Sequence, residues 1–107
     1  MTVKELEAIV LTMPNSRLDY PFGEGAAVYK VGDKMFAIID EKSNPVRMSL
    51  KCDPFLAQTL RDKYETVLPG YHLNKKHWNT IICSGQLGEE ELKDLIVHSY
   101  TLVTAAA

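Results

Sequence analysis

The sequence predicts an α+β domain in which an antiparallel sheet of four to five strands is flanked by three helices. Three segments carry apolar residues at helical spacing, and short apolar segments lie between them. The links between the short segments have the length of hairpin turns, and such links demand antiparallel pairing. The expected order is helix, three strands, helix, one or two strands, helix.

Each predicted helix has a start or stop signal. Thr2 and Glu5 match a capping box, and Pro14 ends the apolar run that follows them. The dipeptide Asp53-Pro54 suits an N-cap followed by the first helical position, where the missing N–H of proline costs nothing. The acidic residues 89–91 complement the positive end of a helix dipole. The predicted helices cover residues 3–13, 54–64 and 89–103, and residues 104–107 are expected to fray.

The strands are predicted from turns and from alternation of apolar and polar residues. Gly32-Asp33 has the chemistry of a tight hairpin turn, and Ser43–Pro45 makes the next turn. Residues 46–51 then alternate, which puts Arg47 and Lys51 on the outer face of the sheet. The predicted strands cover residues 27–31, 35–39, 46–50 and 79–83, with a stub at 67–68 and a loop at 15–25.

Composition indicates a single domain. The chain has 107 residues and 46% hydrophobic content, enough for one core, so residues 1–107 are expected to form one unit. With no apolar N-terminal run and only two cysteines, we expect a cytoplasmic protein with reduced thiols and no membrane span. The net charge of −2 disfavours a simple polyanion binder, although the acidic residues cluster and leave room for a locally basic face.

The segment Tyr71–Asn79 is the densest in groups that recognise ligands. It holds two of the three histidines, the single tryptophan and two lysines, and Pro69-Gly70 leads into it. Together with four other blocks, this segment resembles the MmcQ/YjbR family of small bacterial proteins over about residues 18–103. The other blocks are residues 19–23, 31–37, 50–54 and 98–100.

The resemblance implies a fold and a function. The implied fold is a twisted antiparallel sheet flanked by helices, similar to the frataxin-like fold. The usual label of the family implies DNA binding. Iron handling is not carried over from frataxins, because Glu5 and Glu7 do not share one helical face and function must be argued from a site.

The residues permit a DNA-binding role for one surface. Lysine and arginine side chains suit phosphate contacts, Trp78 offers a ring for stacking, and asparagine amides can both donate and accept. The alternative for Trp78 is a place in the core, where a single tryptophan of a small domain is usually found. The expected DNA contacts, weak and sensitive to salt, come from Arg47, Lys51, His72, Lys75, Lys76, His77, Trp78 and Asn79.

Two further functions stay open from the sequence alone. One is a protein- or small-ligand-binding adaptor with no nucleic-acid role, in which the segment Tyr71–Asn79 is mainly structural. Separately, residues 19–23 are candidates to line a pocket with Trp78 and His77. The other is an enzyme that uses His77 and Cys52, although no reaction signature is present and a lone cysteine is usually a core residue. No catalytic residue, cofactor or metal site is predicted, since the histidines and cysteines lack the spacing of zinc ligands.

Overall fold

A computed structural model describes residues 1–105 and confirms the α+β class. A six-stranded antiparallel sheet carries three helices, so the strand count exceeds the predicted four to five by one. No helix within residues 1–105 is both long and apolar enough to cross a membrane. The elements are α1 (Val3–Val10), β1 (Ser16–Asp19), β2 (Ala26–Val31), β3 (Lys34–Asp40), β4 (Arg47–Lys51), α2 (Pro54–Lys63), β5 (Val67–Pro69), β6 (Trp78–Ile82) and α3 (Glu89–Thr104).

The helix starts are confirmed, but the end of α1 is not where the sequence predicts it. The capping box of Thr2 and Glu5 is formed, and Asp53 Oδ2 accepts from the N–H of Leu56 at 3.1 Å. The prediction of a helix to residue 13 is wrong, because the N–H groups of Thr12 and Met13 bond to carbonyls three residues earlier. The chain after α1 thus forms tighter, 3₁₀-type hydrogen bonds, and the α-helix ends before Pro14.

The sheet has the strand order β1-β2-β3-β4-β6-β5. The expected loop over residues 15–25 contains β1, which pairs with β2 at one edge of the sheet. The sequence does not predict β1, because its side chains are half-buried or exposed and no apolar alternation marks the strand. At the other edge, the predicted stub is confirmed as β5, where Pro69 is tolerated because it need not donate to another strand.

The main core lies between the helices and one face of the sheet. Met48 and Leu50 are buried on this face, as their alternation predicts, and the α3 residues Leu92 and Ile96 belong to the same core cluster. The β2–β3 register shifts after Tyr29, which marks a bulge that lets consecutive residues of β3 be buried. Thr104 is the last residue of α3 and Ala105 is its C-cap, so the predicted fraying is wrong at residue 104. Residues 106–107 of the predicted frayed end lie outside the described residues. The face of the sheet that is turned away from the helices does not take part in this core.

Candidate ligand-binding cavity

The face of the sheet turned away from the helices carries a row of three side chains on neighbouring strands. Ile38 of β3 pairs with Ser49 of β4, and Ser49 pairs with Thr80 of β6. Residues at paired positions point to the same face of an antiparallel sheet. Ser49 and Thr80 are only 9% and 3% exposed, so something besides the helices must cover this face.

Two loops provide that cover and enclose a cavity of about 410 Å³. The loop before β2 contributes Phe22, and the loop between β5 and β6 contributes Tyr71 and Leu73. The floor is formed by sheet residues, and apart from Gly25 the remaining lining groups are charged or ionisable. The floor comprises Ala26, Ile38, Ser49 and Thr80, and the rim comprises Glu24, Asp40, Lys42, Arg47 and His72.

Two hydroxyl groups are linked on the cavity floor. Ser49 Oγ and Thr80 Oγ1 are 2.8 Å apart, and either atom can be the donor. Thr80 Oγ1 also accepts from the backbone N–H of Tyr71 at 3.0 Å, which joins the wall of the cavity to its floor. The threonine hydroxyl therefore positions Tyr71 and is itself oriented by that contact.

The β5–β6 loop is held down by close packing against Trp78. A Cβ atom at Gly70 would lie 2.7 Å from Trp78 Cβ, closer than real side chains approach, so this position requires glycine. The N–H of Gly70 donates to Trp78 O at 2.9 Å, and Lys75 Nζ donates to Gly70 O at 3.2 Å. Trp78 is 7% exposed, so it is a core residue and its ring is not available for stacking on a base.

Arg61 of α2 donates hydrogen bonds to the C-terminal end of the β5–β6 loop and to the start of β6. Its Nε donates to Asn79 Oδ1 at 2.7 Å, and its Nη2 donates to Trp78 O at 3.2 Å and to Lys75 O. Asn79 is 2% exposed, and its Nδ2 donates to Ala57 O at 3.3 Å. The amide of Asn79 is thus satisfied internally, and one guanidinium group ties α2 to the loop that covers the cavity.

The remaining residues of the predicted DNA surface are spread over two places. Arg47 and His72 line the cavity, whereas Lys51 lies on the same face of β4 as Arg47 but outside the cavity. In the loop, Lys76 is exposed and His77 is half-buried. The structure brings Arg47 and His72 together around one cavity, and the contact of these residues with DNA stays a prediction.

One residue of the segment 19–23 lines the cavity, but the residues beside it are not the expected Trp78 and His77. Phe22 lies in the lining with Tyr71 and His72, whose rings are 4.0 Å apart between centroids. Neither Trp78 nor His77 belongs to that lining. The expectation is wrong because the β5–β6 loop covers Trp78, the first residue of β6. The rings that line the cavity, those of Tyr71 and His72, belong to the first residues of that loop.

Cys52 and His77 are neighbours through the backbone, since the N–H of Cys52 donates to His77 O at 2.8 Å. Burial raises the pKa of the Cys52 thiol to about 11, and burial likewise raises the pKa of Cys83 to about 11. A thiol with such a pKa is almost entirely protonated at neutral pH and is a poor nucleophile. Within residues 1–105, no cluster of three or more histidine, cysteine, aspartate and glutamate side chains could hold a metal ion.

Sequence reasoning missed several residues that shape the cavity. Ser49 and Thr80 could have been noticed as hydroxyl residues at alternating positions among apolar strand residues. Nothing in the sequence marks Arg61, because its partners lie 14 to 18 residues further along the chain. Lys42 joins the rim through the turn after β3, which only the fold reveals.

Charge is unevenly distributed between the two layers. The helices carry seven acidic and four basic residues, a net charge of −3, whereas the strands carry five basic and two acidic residues, a net charge of +3. Within residues 1–105, a single ion pair is formed, between Lys30 Nζ and Asp19 Oδ2 at 3.2 Å. Backbone hydrogen bonding to Tyr20, followed by the contact with Lys30, lowers the pKa of Asp19.

Comparison with known proteins gives consistent relatives. The chain is 36% identical over 95 residues to the uncharacterized protein YbdF of Escherichia coli O157:H7, covering 89% of this chain and 78% of that protein. It is 35% identical over 100 residues to the uncharacterized protein YjbR of Escherichia coli K12, covering 94% and 85% of the two chains.

A crystal structure supports the same assignment. Deinococcus radiodurans protein DR2400 superposes with a TM-score of 0.93 at 39% identity, covering 97% of this chain and 79% of that chain. The YjbR family model matches residues 11–102. The match includes the whole sheet and both loops that cover the cavity. The chain therefore belongs to the YjbR family.

Proposed function

We propose that this protein binds a small organic molecule in the cavity on the open face of its sheet. The observation that carries the proposal is the cavity itself, whose volume of about 410 Å³ lies within the usual range of ligand sites, about 300–1,000 Å³. A largely apolar lining with a few polar groups is also typical of such sites. The proposal involves no chemical step, and the two buried, unbridged cysteines fit a role in the reducing cytosol.

The construction of the cavity supports this function over a purely structural role. A face with no ligand is normally either solvated or covered by packed side chains. Here two loops arch over the face, and specific hydrogen bonds of Thr80 and Arg61 hold one of them in place. The exposed fractions of Phe22 and Tyr71 are 64% and 69%, so large apolar groups stand at the mouth of the cavity, where a ligand would cover them.

A blocked variant tests the proposal. Ala26→Phe places a ring on the cavity floor, and we expect it to weaken the binding of fragment hits by at least about tenfold, a loss of about 1.4 kcal/mol. Ligand-observed NMR with a fragment library supplies the hits and their affinities. Leu18→Phe on the edge strand β1 adds the same ring outside the cavity and should leave binding unchanged. Hits that bind both variants and the parent protein equally would refute the proposal.

DNA binding is the second candidate, and the separation of charge between the layers favours it. The positive net charge of the strands, with Lys75 and Lys76 on a nearby loop, offers phosphate contacts on the side away from the acidic helices. Because Trp78 is buried, we propose contacts by cations alone, without stacking on bases. Such binding would be nonspecific, with a Kd in the range of roughly 10⁻⁴–10⁻⁶ M.

Salt dependence separates this candidate from the first. Fluorescence anisotropy of a labelled duplex should show affinity that falls steeply with salt, and Lys75→Ala/Lys76→Ala should reduce the logarithmic slope by about 1 to 2. The control Lys63→Ala/Lys93→Ala removes two lysines from the helices and should change the slope little. Absence of binding at low salt would eliminate DNA as a partner.

A further inference from the structure

We propose that the ligand of the cavity is a small monocarboxylate with a flat apolar body, held by Arg47 and by a hydroxyl donor on the floor. This inference rests on the proposed small-molecule function and adds the chemical class of the ligand. It follows from three features of the lining, namely an unused hydroxyl proton, an unpaired guanidinium group and exposed aromatic walls.

The floor has one hydroxyl proton more than its partners can accept. Ser49 and Thr80 together carry two hydroxyl protons, and their mutual hydrogen bond uses one of them. The other contact of Thr80 is with the N–H of Tyr71, which donates and therefore uses no hydroxyl proton. Within residues 1–105, neither hydroxyl group has a further acceptor, so one donor is left for an acceptor atom of the ligand.

Arg47 supplies a positive charge beside this donor. It precedes Ser49 by two residues on β4, so both side chains lie on the open face of the sheet and both line the cavity. Within the described part of the chain, the Arg47 guanidinium group makes no side-chain hydrogen bond and no ion pair. A planar guanidinium group with free N–H donors matches a carboxylate, which can accept two parallel hydrogen bonds.

The other rim charges limit how much negative charge a ligand can bring. Glu24 and Asp40 also line the cavity, and Asp40 is the cross-strand partner of Arg47. Asp40 Oδ1 accepts from the backbone N–H of Lys42, which orients one of its oxygens toward the turn. Two carboxylates near the site would repel a polyphosphate or a dicarboxylate, so the balance of Arg47 and Lys42 against them favours a single negative charge.

The apolar body of the ligand would lie between the loops. Phe22 comes from one loop and Tyr71 and Leu73 from the other, with Ile38 below them. Aromatic walls on two sides suit a flat ring, which can stack or meet them edge-on. Covering the exposed rings of Phe22 and Tyr71 would add apolar burial to the polar contacts at the floor.

Three naphthalene probes of similar size test the charge of the ligand. Naphthoate, naphthylmethanol and naphthylmethylammonium carry a negative, neutral and positive substituent, respectively. Amide chemical shifts of nitrogen-15-labelled protein give each Kd, and shifts at Ser49, Tyr71 and Thr80 locate the site. We expect naphthoate to bind at least about tenfold more tightly than the ammonium probe. The carboxylate can accept from the floor hydroxyl and from Arg47, whereas the ammonium group has no acceptor and is repelled by Arg47.

Variants test the two proposed contacts. Ser49→Ala and Thr80→Val alone each leave one hydroxyl proton on the floor, so each should weaken naphthoate binding by only a few-fold. The double variant Ser49→Ala/Thr80→Val removes both protons and should weaken naphthoate binding by about tenfold or more. Arg47→Met should weaken naphthoate binding to a similar extent but not naphthylmethanol binding. Lys51→Met, on the same strand and face but outside the cavity, should change neither.

The outcomes separate the ligand class from the proposed function. Equal binding of all three probes at the cavity, or a preference for the ammonium probe, would overturn the carboxylate class and leave the cavity as a ligand site. Failure of every probe to shift the cavity amides would overturn the proposed ligand class, and absence of any cavity hit from the fragment library as well would overturn both. If the double variant does not fold, Arg47→Met with its Lys51→Met control still decides the charged contact.

Discussion

The Arg61→Met variant should destabilise the protein by about 1–3 kcal/mol. The methionine keeps the apolar stem of the half-buried arginine and removes three donated hydrogen bonds, to Asn79 Oδ1, Lys75 O and Trp78 O. The Asn79 contact dominates, because that amide is 2% exposed and would be left with an unsatisfied acceptor, at a cost of about 1–3 kcal/mol. Trp78 O keeps its bond from Gly70 and the exposed Lys75 O can bind water, so these two add little.

Urea denaturation followed by tryptophan fluorescence measures this loss. The chain has a single tryptophan, and Trp78 lies buried beneath the loop that Arg61 holds, so its emission reports on the relevant region. Lys93→Met on the exposed surface of α3 is the matched control and should change the free energy of unfolding by less than about 0.5 kcal/mol.

A second substitution, at Asn79, tests whether the Arg61–Asn79 contact itself stabilises the protein. Arg61→Met/Asn79→Leu removes both the donor and the buried acceptor, so it should be less destabilised than the sum of the two single variants. A loss below about 1 kcal/mol for Arg61→Met, or strict additivity in the double variant, would show that the Arg61–Asn79 contact contributes no specific stability.

Four further outcomes are expected from local chemistry. Asp53→Ala should cost about 0.5–2 kcal/mol in urea denaturation while Asp53→Ser costs little, and equal losses would rule out a capping role. Thiol titration of denatured, unreduced protein should count two free groups, and a count of zero would indicate a disulfide bond. The free energy of unfolding should fall as pH rises from about 9 to 11, because the raised pKa values of Cys52 and Cys83 keep the folded thiols protonated while those of the unfolded chain ionise. A Cys52→Ala/Cys83→Ala variant whose stability depends on pH with the same slope would contradict this. Asn15 has a φ of 61°, a left-handed conformation that glycine adopts without strain. In thermal denaturation, Asn15→Gly should therefore be neutral or stabilising, and Asn15→Ala should be destabilising by about 1 kcal/mol. The reverse order would refute strain at this turn.

Local signals determined most of the secondary structure from sequence alone. The capping box at Thr2, the Asp53-Pro54 start of α2 and the alternation along β4 depend on residues close together in the chain, and each appears in the structure. Burial of Met48 and Leu50 also follows from alternation, because a strand turns successive side chains to opposite faces. Such features need no knowledge of distant contacts, which is why short-range patterns predict them.

Only the tertiary structure decided where the cavity lies and what surrounds it. The edge strand β1 has no apolar pattern and exists because its backbone pairs with β2. Ser49 and Thr80 are 31 residues apart and meet because β4 and β6 are neighbours in the sheet. The sequence marks the segment Tyr71–Asn79 as a candidate binding surface, but the close packing of Gly70 against Trp78 decides which of its rings face solvent. Contacts between distant segments form through the global fold, so no local pattern encodes them.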